Sequence, residues 1–477
     1  MRGHRQLNVA QARARAVGML LIVASAPLEG QAAGGVDGSA VDAVFSAYNR
    51  SDAPGCAVGV IRDGALAFGR GYGMANLEHG IAISPHTVFR TGSVGKQFTA
   101  AAIAIAARDG YIALDDPMRR WIPELAVHGD EPTIRQVVHH TSGLRDYLTL
   151  MWLRGVRDDD YYTVPEVRAL IARQEELNFA PGSTYLYSNS GYFLLGEVLR
   201  EATGRSLREY AEEVIFAPLG MTHSHFHDDH NHIVPNRAAG YAPMETGFRV
   251  SQTTLDMVGD GGVFTSIEDL VPWVDALNRD SLRPGLNREL EGTQRLTGGE
   301  DNPYAFGQRL GTYRGARTVS HGGSFVGFRA AIVRFPGLGT GIVTLCNRAD
   351  ADPSDLSMRV ADVVLAEELE PAPTEEAGEG AGAQNAGQPV KFITEGAPFV
   401  GTFYSSELDV SYVLGADAED GRLKLRFGPE FEAVLEELGP DRFQAAGIQL
   451  RMVREDGRVV GFDVDAGRVQ NVRFTRR

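Results

Sequence analysis

Ser93 and Lys96 stand three residues apart at the head of the run SVGKQFTAAAIAIAAR, which is nearly all apolar after Thr99. On a helix, positions i and i+3 project from one face a turn apart, within reach of a hydrogen bond. A free serine hydroxyl is a poor nucleophile, but an amine in a partly desolvated pocket can take its proton, because burial lowers a lysine pKa. Ser93 at a helix N-terminus also sets its own N–H, and the positive end of the helix dipole, where an oxyanion would form. The lysine is conspicuous. The chain has 477 residues and 46 basic side chains, of which only Lys96, Lys391 and Lys424 are lysines. Between residues 36 and 370 there are 29 arginines and Lys96 alone. Codon bias accounts for the excess of arginine, yet arginine keeps its proton in a protein and lysine need not. Lys96 therefore marks the place where proton-transfer chemistry is expected.

Two further clusters carry suitable groups. Tyr187-Ser188-Asn189 precedes an apolar helical run, Gly191–Val198. A phenol near an ammonium can share its proton, and an Asn amide can orient a lysine and a substrate. His321-Gly322-Gly323-Ser324 is read as opening a strand. Its glycines would let a substrate backbone lie against the strand edge, and the Ser324 N–H would be a second oxyanion donor. Taken singly, each cluster is an ordinary turn or cap.

In this order and spacing the three motifs resemble the penicillin-recognising serine hydrolases, which include class C β-lactamases, DD-peptidases, D-aminopeptidases and related esterases. The resemblance spans about residues 36 to 370. It takes in Pro54-Gly55, His140-Thr141-Ser142-Gly143-Leu144 and Gly261-Gly262-Val263-Phe264-Thr265-Ser266. It implies an acyl-enzyme on Ser93, protons managed by Lys96 and Tyr187, and substrate positioned by Asn189, His321, Gly322 and Gly323. The oxyanion would sit between the N–H groups of Ser93 and Ser324, and no cofactor is required. The third motif departs from the commonest pattern, which begins with Lys. His321, neutral at pH 7, attracts carboxylates less and is nearer the D-aminopeptidase and esterase-like branches.

The surrounding elements fit that role. Residues 36 to 50 have helical periodicity, and Cys56–Ile61 and Ala65–Phe68 read as strands joined at Asp63-Gly64. Helical segments occupy the middle of the chain to about 280. Strand-like runs return at Tyr304–Thr312, Phe325–Phe335 and Gly341–Cys346, followed by a helix at Pro353–Glu370. The expected fold is α+β: an antiparallel sheet flanked by helices, with a mostly helical half and the site between them. Residues 371–390, rich in Pro, Ala, Gly and Glu, read as a linker. Residues 391–477 hold about eight short alternating runs with Asp-Gly and Ala-Gly turns, expected to form a small antiparallel barrel or sandwich. This part resembles the lipocalin-like domains that follow the catalytic domain in D-aminopeptidase-type relatives.

Residues 1–33 read as an export signal, with Arg2, Arg5, Arg13 and Arg15 before an apolar Ala16–Ala26 core that is shorter than a spanning helix. A periplasmic or secreted protein with no lasting membrane anchor is expected. The formal charge of −16 argues against a nucleic-acid partner and leaves a small molecule or peptide as substrate. The histidines of 223–232 (HSHFHDDHNH) suit a divalent metal by type, but match no ligand spacing and are read as a polar surface loop. Thr91 breaks the G-x-S-x-G elbow around Ser93. Cys56 and Cys346 are expected to be two buried free thiols rather than a disulfide. The leading expectation is hydrolysis of amide bonds in small peptides containing D-residues. A carboxylesterase, a β-lactamase, and a sensor or scaffold acylated without turnover are the alternatives.

Overall fold

The computed structural model describes residues 35–126, 129–157, 160–371, 391–392 (backbone only), 398–417, 421–429 and 431–477. The export segment 1–33 and residues 372–390 of the linker lie outside the described residues. The described residues all fall within one compact unit, Ala32–Arg477.

Six antiparallel strands form the main sheet: β1 (Cys56–Arg62), β2 (Ala65–Tyr72), β3 (Arg309–Tyr313), β4 (Ala316–Phe325), β5 (Phe328–Phe335) and β6 (Thr340–Cys346), in the spatial order β3-β4-β5-β6-β1-β2. Strands from the two ends of the 36–370 region thus meet at β6–β1, as expected. The first hairpin turns at Asp63 and Gly64, both with positive φ (50° and 83°), a conformation that short-side-chain and glycine residues adopt at low cost. Strand alternation sends Ala57, Ile61, Val343 and Leu345 into one core with Ile267, Leu270, Trp273 and Val274. Val58, Val60 and Ile342 enter the other core with Val41, Phe45, Leu356 and Val360. Covering both faces is what lets β1 and β6 be almost wholly apolar.

The helices that matter for the site are α1 (Gly38–Val44), α2 (Lys96–Arg108), α3 (Tyr147–Leu153), α4 (Asn189–Thr203), α5 (Ile267–Arg279) and α6 (Pro353–Val364). Helix α2 is buried along its length to Ala106, its alanines allowing close approach of neighbouring elements. A 3₁₀ turn, Gly92–Gly95, precedes it and holds Ser93.

Two expectations are corrected. Cys56 and Cys346 form a disulfide rather than two free thiols. They are partners in the β1–β6 register with Cα atoms 4.0 Å apart, a pairing set by topology across 290 residues of sequence. The His321–Ser324 motif does not open a strand; it lies in the last part of β4, which turns at Val326-Gly327 into β5. The paired glycines resemble a turn signal but instead serve a close backbone approach, described below.

Nine further strands make the C-terminal near-barrel: β7 (Gly401–Ser405), β8 (Val410–Ala416), β9 (Leu423–Phe427), β10 (Phe431–Val434), β11 (Glu436–Gly439), β12 (Arg442–Ala445), β13 (Ile448–Glu455), β14 (Arg458–Ala466) and β15 (Val469–Arg476). Their order is β11-β12-β13-β14-β15-β7-β8-β9-β10, with Lys391–Phe392 paired at the β11 edge. The only seam among these strands falls between β10 and β11, which are consecutive in sequence. Aromatic side chains fill the interior: Tyr412 packs on Phe474 and Phe427 with ring centres 4.2 and 4.4 Å away, and Phe462 packs on Phe474.

The barrel is seated by buried polar contacts. Arg145, with no exposed side-chain surface, pairs with Glu407 and donates to the carbonyls of Gln470 (2.9 Å) and Asn471 (3.0 Å). The Tyr412 hydroxyl donates to the Leu153 carbonyl at the end of α3 (2.7 Å).

Candidate active site

Lys96, the first residue of α2, is fully buried, and its Nζ faces three acceptors. It donates to Asn189 Oδ1 at 2.8 Å and to the Asp260 carbonyl, and reaches Ser93 Oγ at 3.4 Å. Burial pushes its pKa down to about 7, against the opposing pull of Asp260 and Asp146. A neutral amine has two hydrogens and one lone pair. The two closer acceptors can take the hydrogens, which leaves the lone pair for the Ser93 hydroxyl.

The Tyr187-Ser188-Asn189 segment is positioned by residues that precede α3. The Ser188 N–H donates to His140 Nδ1 (3.1 Å), and the Asn189 N–H to Asp146 Oδ2 (2.7 Å). Asp146 also caps α3 by accepting from the Thr149 N–H (3.0 Å). Ser188 is the N-cap of α4. The His140 ring packs 4.1 Å from that of Tyr187, and burial holds His140 well below the ordinary histidine range.

Tyr187 has two basic groups against its ring, Lys96 Nζ at 4.8 Å and the Arg468 guanidinium at 4.7 Å from the ring centre. Its hydroxyl is buried without a hydrogen-bond partner of good geometry among the described residues. Burial raises its pKa above the ordinary phenol range, while nearby Ser93 and Arg468 pull the other way. At neutral pH the phenol keeps its proton.

His321 is also buried. The Tyr304 hydroxyl lies 2.9 Å from its Nε2, and its Nδ1 faces the Gly322 carbonyl. With Nδ1–H donating to that carbonyl, Nε2 accepts from Tyr304. Burial, then Lys96, pushes His321 down to about 3, so it is neutral at pH 7.

Strand β4 meets the Ser93 turn backbone to backbone. A Cβ built on Gly323 would lie 1.9 Å from the Thr91 carbonyl oxygen and 3.1 Å from Ser93 N. A Cβ on Gly92 would lie 2.9 Å from Ser324 N. Glycine at both places is what lets the Ser324 backbone lie against Gly92 and Ser93. One cavity of about 740 Å³ is lined among others by Ser93, Tyr187, Asn189, His321, Gly322, Gly323, Ser324 and Arg468.

A beta-lactamase family model matches residues 41–367, more than half of the chain. The chain belongs to the beta-lactamase family. Among curated relatives, a D-aminopeptidase of Gluconobacter oxydans is 31% identical over 313 residues, covering 65% of this chain and 58% of that protein. A D-aminopeptidase of Brucella anthropi is 28% identical over 415 residues, covering 85% of this chain and 72% of its own. The chain thus spans little more than half the length of the first of these relatives. Among solved structures, the octameric penicillin-binding protein homologue from Pyrococcus abyssi aligns with a TM-score of 0.61 at 22% identity, over 92% of this chain and 99% of that one. The D-amino acid amidase from Ochrobactrum anthropi, complexed with D-phenylalanine, aligns at 0.59 and 19% identity, over 69% and 99%. Those two show a shared fold.

For this beta-lactamase family member Ser93, Tyr187, Asn189, His321, Gly322, Gly323 and Ser324 all border one cavity, and Lys96 contacts Ser93 and Asn189. Missed were Asp146 and Asp260, which hold Asn189 and Lys96, and Tyr304, which holds His321. Asp146 lies two residues past the His140–Leu144 motif and Asp260 directly precedes Gly261-Gly262, so adjacency could have flagged both. Arg468 carried no signal, because it arrives from the barrel.

The histidine-rich segment is a surface loop over 228–232, as expected, but not before it. His225–Phe226 is a short strand paired to Val263–Thr265, and His227 is buried, its N–H donating to the Gly262 carbonyl (2.8 Å). His223 faces Asp269 and His230 faces Asp256. No group of three or more His, Cys, Asp or Glu among the described residues is arranged to hold a metal ion.

Proposed function

We propose that this beta-lactamase family protein is a serine hydrolase that cleaves amide bonds of small peptides containing D-residues through an acyl-enzyme on Ser93. The observation that carries the reading is Lys96, buried and held near pKa 7, with its third contact on Ser93 Oγ. Neutral Lys96 takes the Ser93 proton as Oγ attacks the carbonyl carbon. The N–H groups of Ser93 and Ser324 receive the developing oxyanion. Tyr187, still protonated at neutral pH, passes a proton to the leaving amine and recovers one through Lys96. Asn189 orients Lys96 and the substrate, and His321, Gly322 and Gly323 present the strand along which the substrate lies. The D-aminopeptidase relatives favour a D-residue on the substrate, and neutral His321 fits that branch better than the Lys-bearing one.

The domain reading joins a hydrolase domain, 36–370, through the linker 371–390 to the barrel domain, 391–477. Export of the protein fits the Cys56–Cys346 disulfide, since such bonds persist in oxidising compartments. Among the described residues no helix is long and apolar enough to cross a membrane.

Parallel turnover of D-amino-acid p-nitroanilides, N-acyl-D-dipeptides, short acyl esters and a chromogenic cephalosporin tests the substrate class. D-configured amides should be hydrolysed with at least tenfold higher kcat/KM than their L-counterparts. High turnover of the cephalosporin alone would contradict the reading. Acylation without turnover of any compound would favour the sensor instead.

A further inference from the structure

The chain carries a formal charge of −16, yet its active-site cavity is lined by Arg90, Arg309, Arg329 and Arg468 against two carboxylates, Asp260 and Asp352. Both carboxylates are engaged. Asp260 accepts from the Tyr147 hydroxyl (3.0 Å), and Asp352 caps α6 by accepting from the Ser354 and Asp355 N–H groups. Two of the arginines are engaged as well: Arg309 donates to the Tyr185 hydroxyl, and Arg329 donates to the Val326 and Phe328 carbonyls. Arg90 is buried against the Phe264 and Phe325 rings, its Nε without a hydrogen-bond partner among the described residues.

Arg468 is different. It sits in the β14–β15 turn of the barrel, just after Gly467, and 44% of its side chain is exposed. Its backbone is held by two hydrogen bonds to one residue of the catalytic half. Asn178 Nδ2 donates to the Arg468 carbonyl (2.9 Å), and the Gln470 N–H donates to Asn178 Oδ1 (2.8 Å). The guanidinium lies over Tyr187 at the edge of the cavity, and the closest carboxylate oxygen among the described residues, on Asp146, is 3.8 Å away. That distance is too long for a hydrogen bond, and Asp146 already serves Asn189 and Thr149. A pinned backbone thus presents a charged tip with donors to spare beside the reacting groups.

We propose that Arg468 is a specificity residue that binds a free carboxylate of the substrate, so that the preferred substrates are acylated peptides or amides bearing a carboxylate. The inference rests on the serine-hydrolase reading and narrows it. The strand motif offers only neutral His321, so the barrel supplies the cation from across the cavity. Guanidinium and carboxylate match in shape and form charge-assisted, bidentate hydrogen bonds. A substrate α-ammonium would instead enter a cavity lined by arginines.

Binding to the Ser93→Ala variant of the full chain separates this from the question of acylation. Isothermal titration compares N-acetyl-D-alanyl-D-alanine with its C-terminal carboxamide. The acid should bind at least tenfold more tightly than the amide. Adding Arg468→Gln should bring the acid to the affinity of the amide and leave the amide unchanged, and Arg468→Lys should retain part of the preference. Equal affinity for the two compounds overturns the proposal, as does a preference for the acid that survives Arg468→Gln at unchanged melting temperature. Failure of Ser93 to be acylated shows only in covalent labelling of the parent protein, so the two readings fail separately.

Discussion

At the residue scale the account turns on which group near Ser93 is free to accept a proton at neutral pH. Tyr187 is held above the ordinary phenol range and His321 down to about 3 with Nε2 occupied, while Lys96 sits at about 7. Acylation therefore requires Lys96 neutral. Its rate should be low at pH 5.5, rise through an inflection near 7 and level off above about pH 8.5, as read by stopped-flow release of p-nitrophenol in the first turnover. A rate falling with pH over that range would exclude Lys96 as the base. Lys96→Arg should slow acylation by about 10²–10⁴-fold with the fold intact, because a guanidinium stays protonated. Ser93, Lys96, Tyr187 and Asn189 were legible from residue type, order and spacing. Tyr304 was not, because a partner that acts through burial and contact leaves no local pattern.

At the element scale, the contact between β4 and the Ser93 turn decides whether two backbone N–H groups can share an oxyanion. Neighbouring glycines make opposite predictions. Gly323→Ala drives a methyl into the Thr91 carbonyl, so β4 must move away from the turn, with a loss of about 1–3 kcal/mol in urea unfolding and slower acylation. A Cβ on Gly322 meets nothing closer than Ser354 Oγ at 3.5 Å, so Gly322→Ala should unfold at nearly the wild-type midpoint. The β1–β6 disulfide closes a loop of 290 residues, and replacing both cysteines by alanine should cost about 2–5 kcal/mol in the same assay. Helix α2 and the first hairpin were read closely from apolar periodicity and Asp63-Gly64. The end of β4 was misread because Gly-Gly marks turns and tight backbone contacts alike, and only the neighbouring strand distinguishes them.

At the scale of the whole molecule, the barrel and the catalytic half share a buried ion pair, Arg145–Glu407. Glu407→Ala would leave the Arg145 charge buried without its partner and should cost about 3–5 kcal/mol, measured by urea unfolding; pairing it with Arg145→Met should recover part of the loss. The two-part α+β and near-barrel architecture was legible from the change in hydrophobic period after the Pro/Gly/Glu-rich stretch. The seating of the barrel was not, since nothing in residue type or spacing pairs Arg145 with Glu407 or brings Arg468 to the site. The claim on which the rest depends is a covalent acyl-enzyme on one serine. Intact-mass and peptide mapping of the full chain after treatment with a fluorescent phosphonate tests it most directly. The account predicts one label per chain, on Ser93, and none in Ser93→Ala. Equal labelling of Ser93→Ala, or label mapped to another residue, would contradict it.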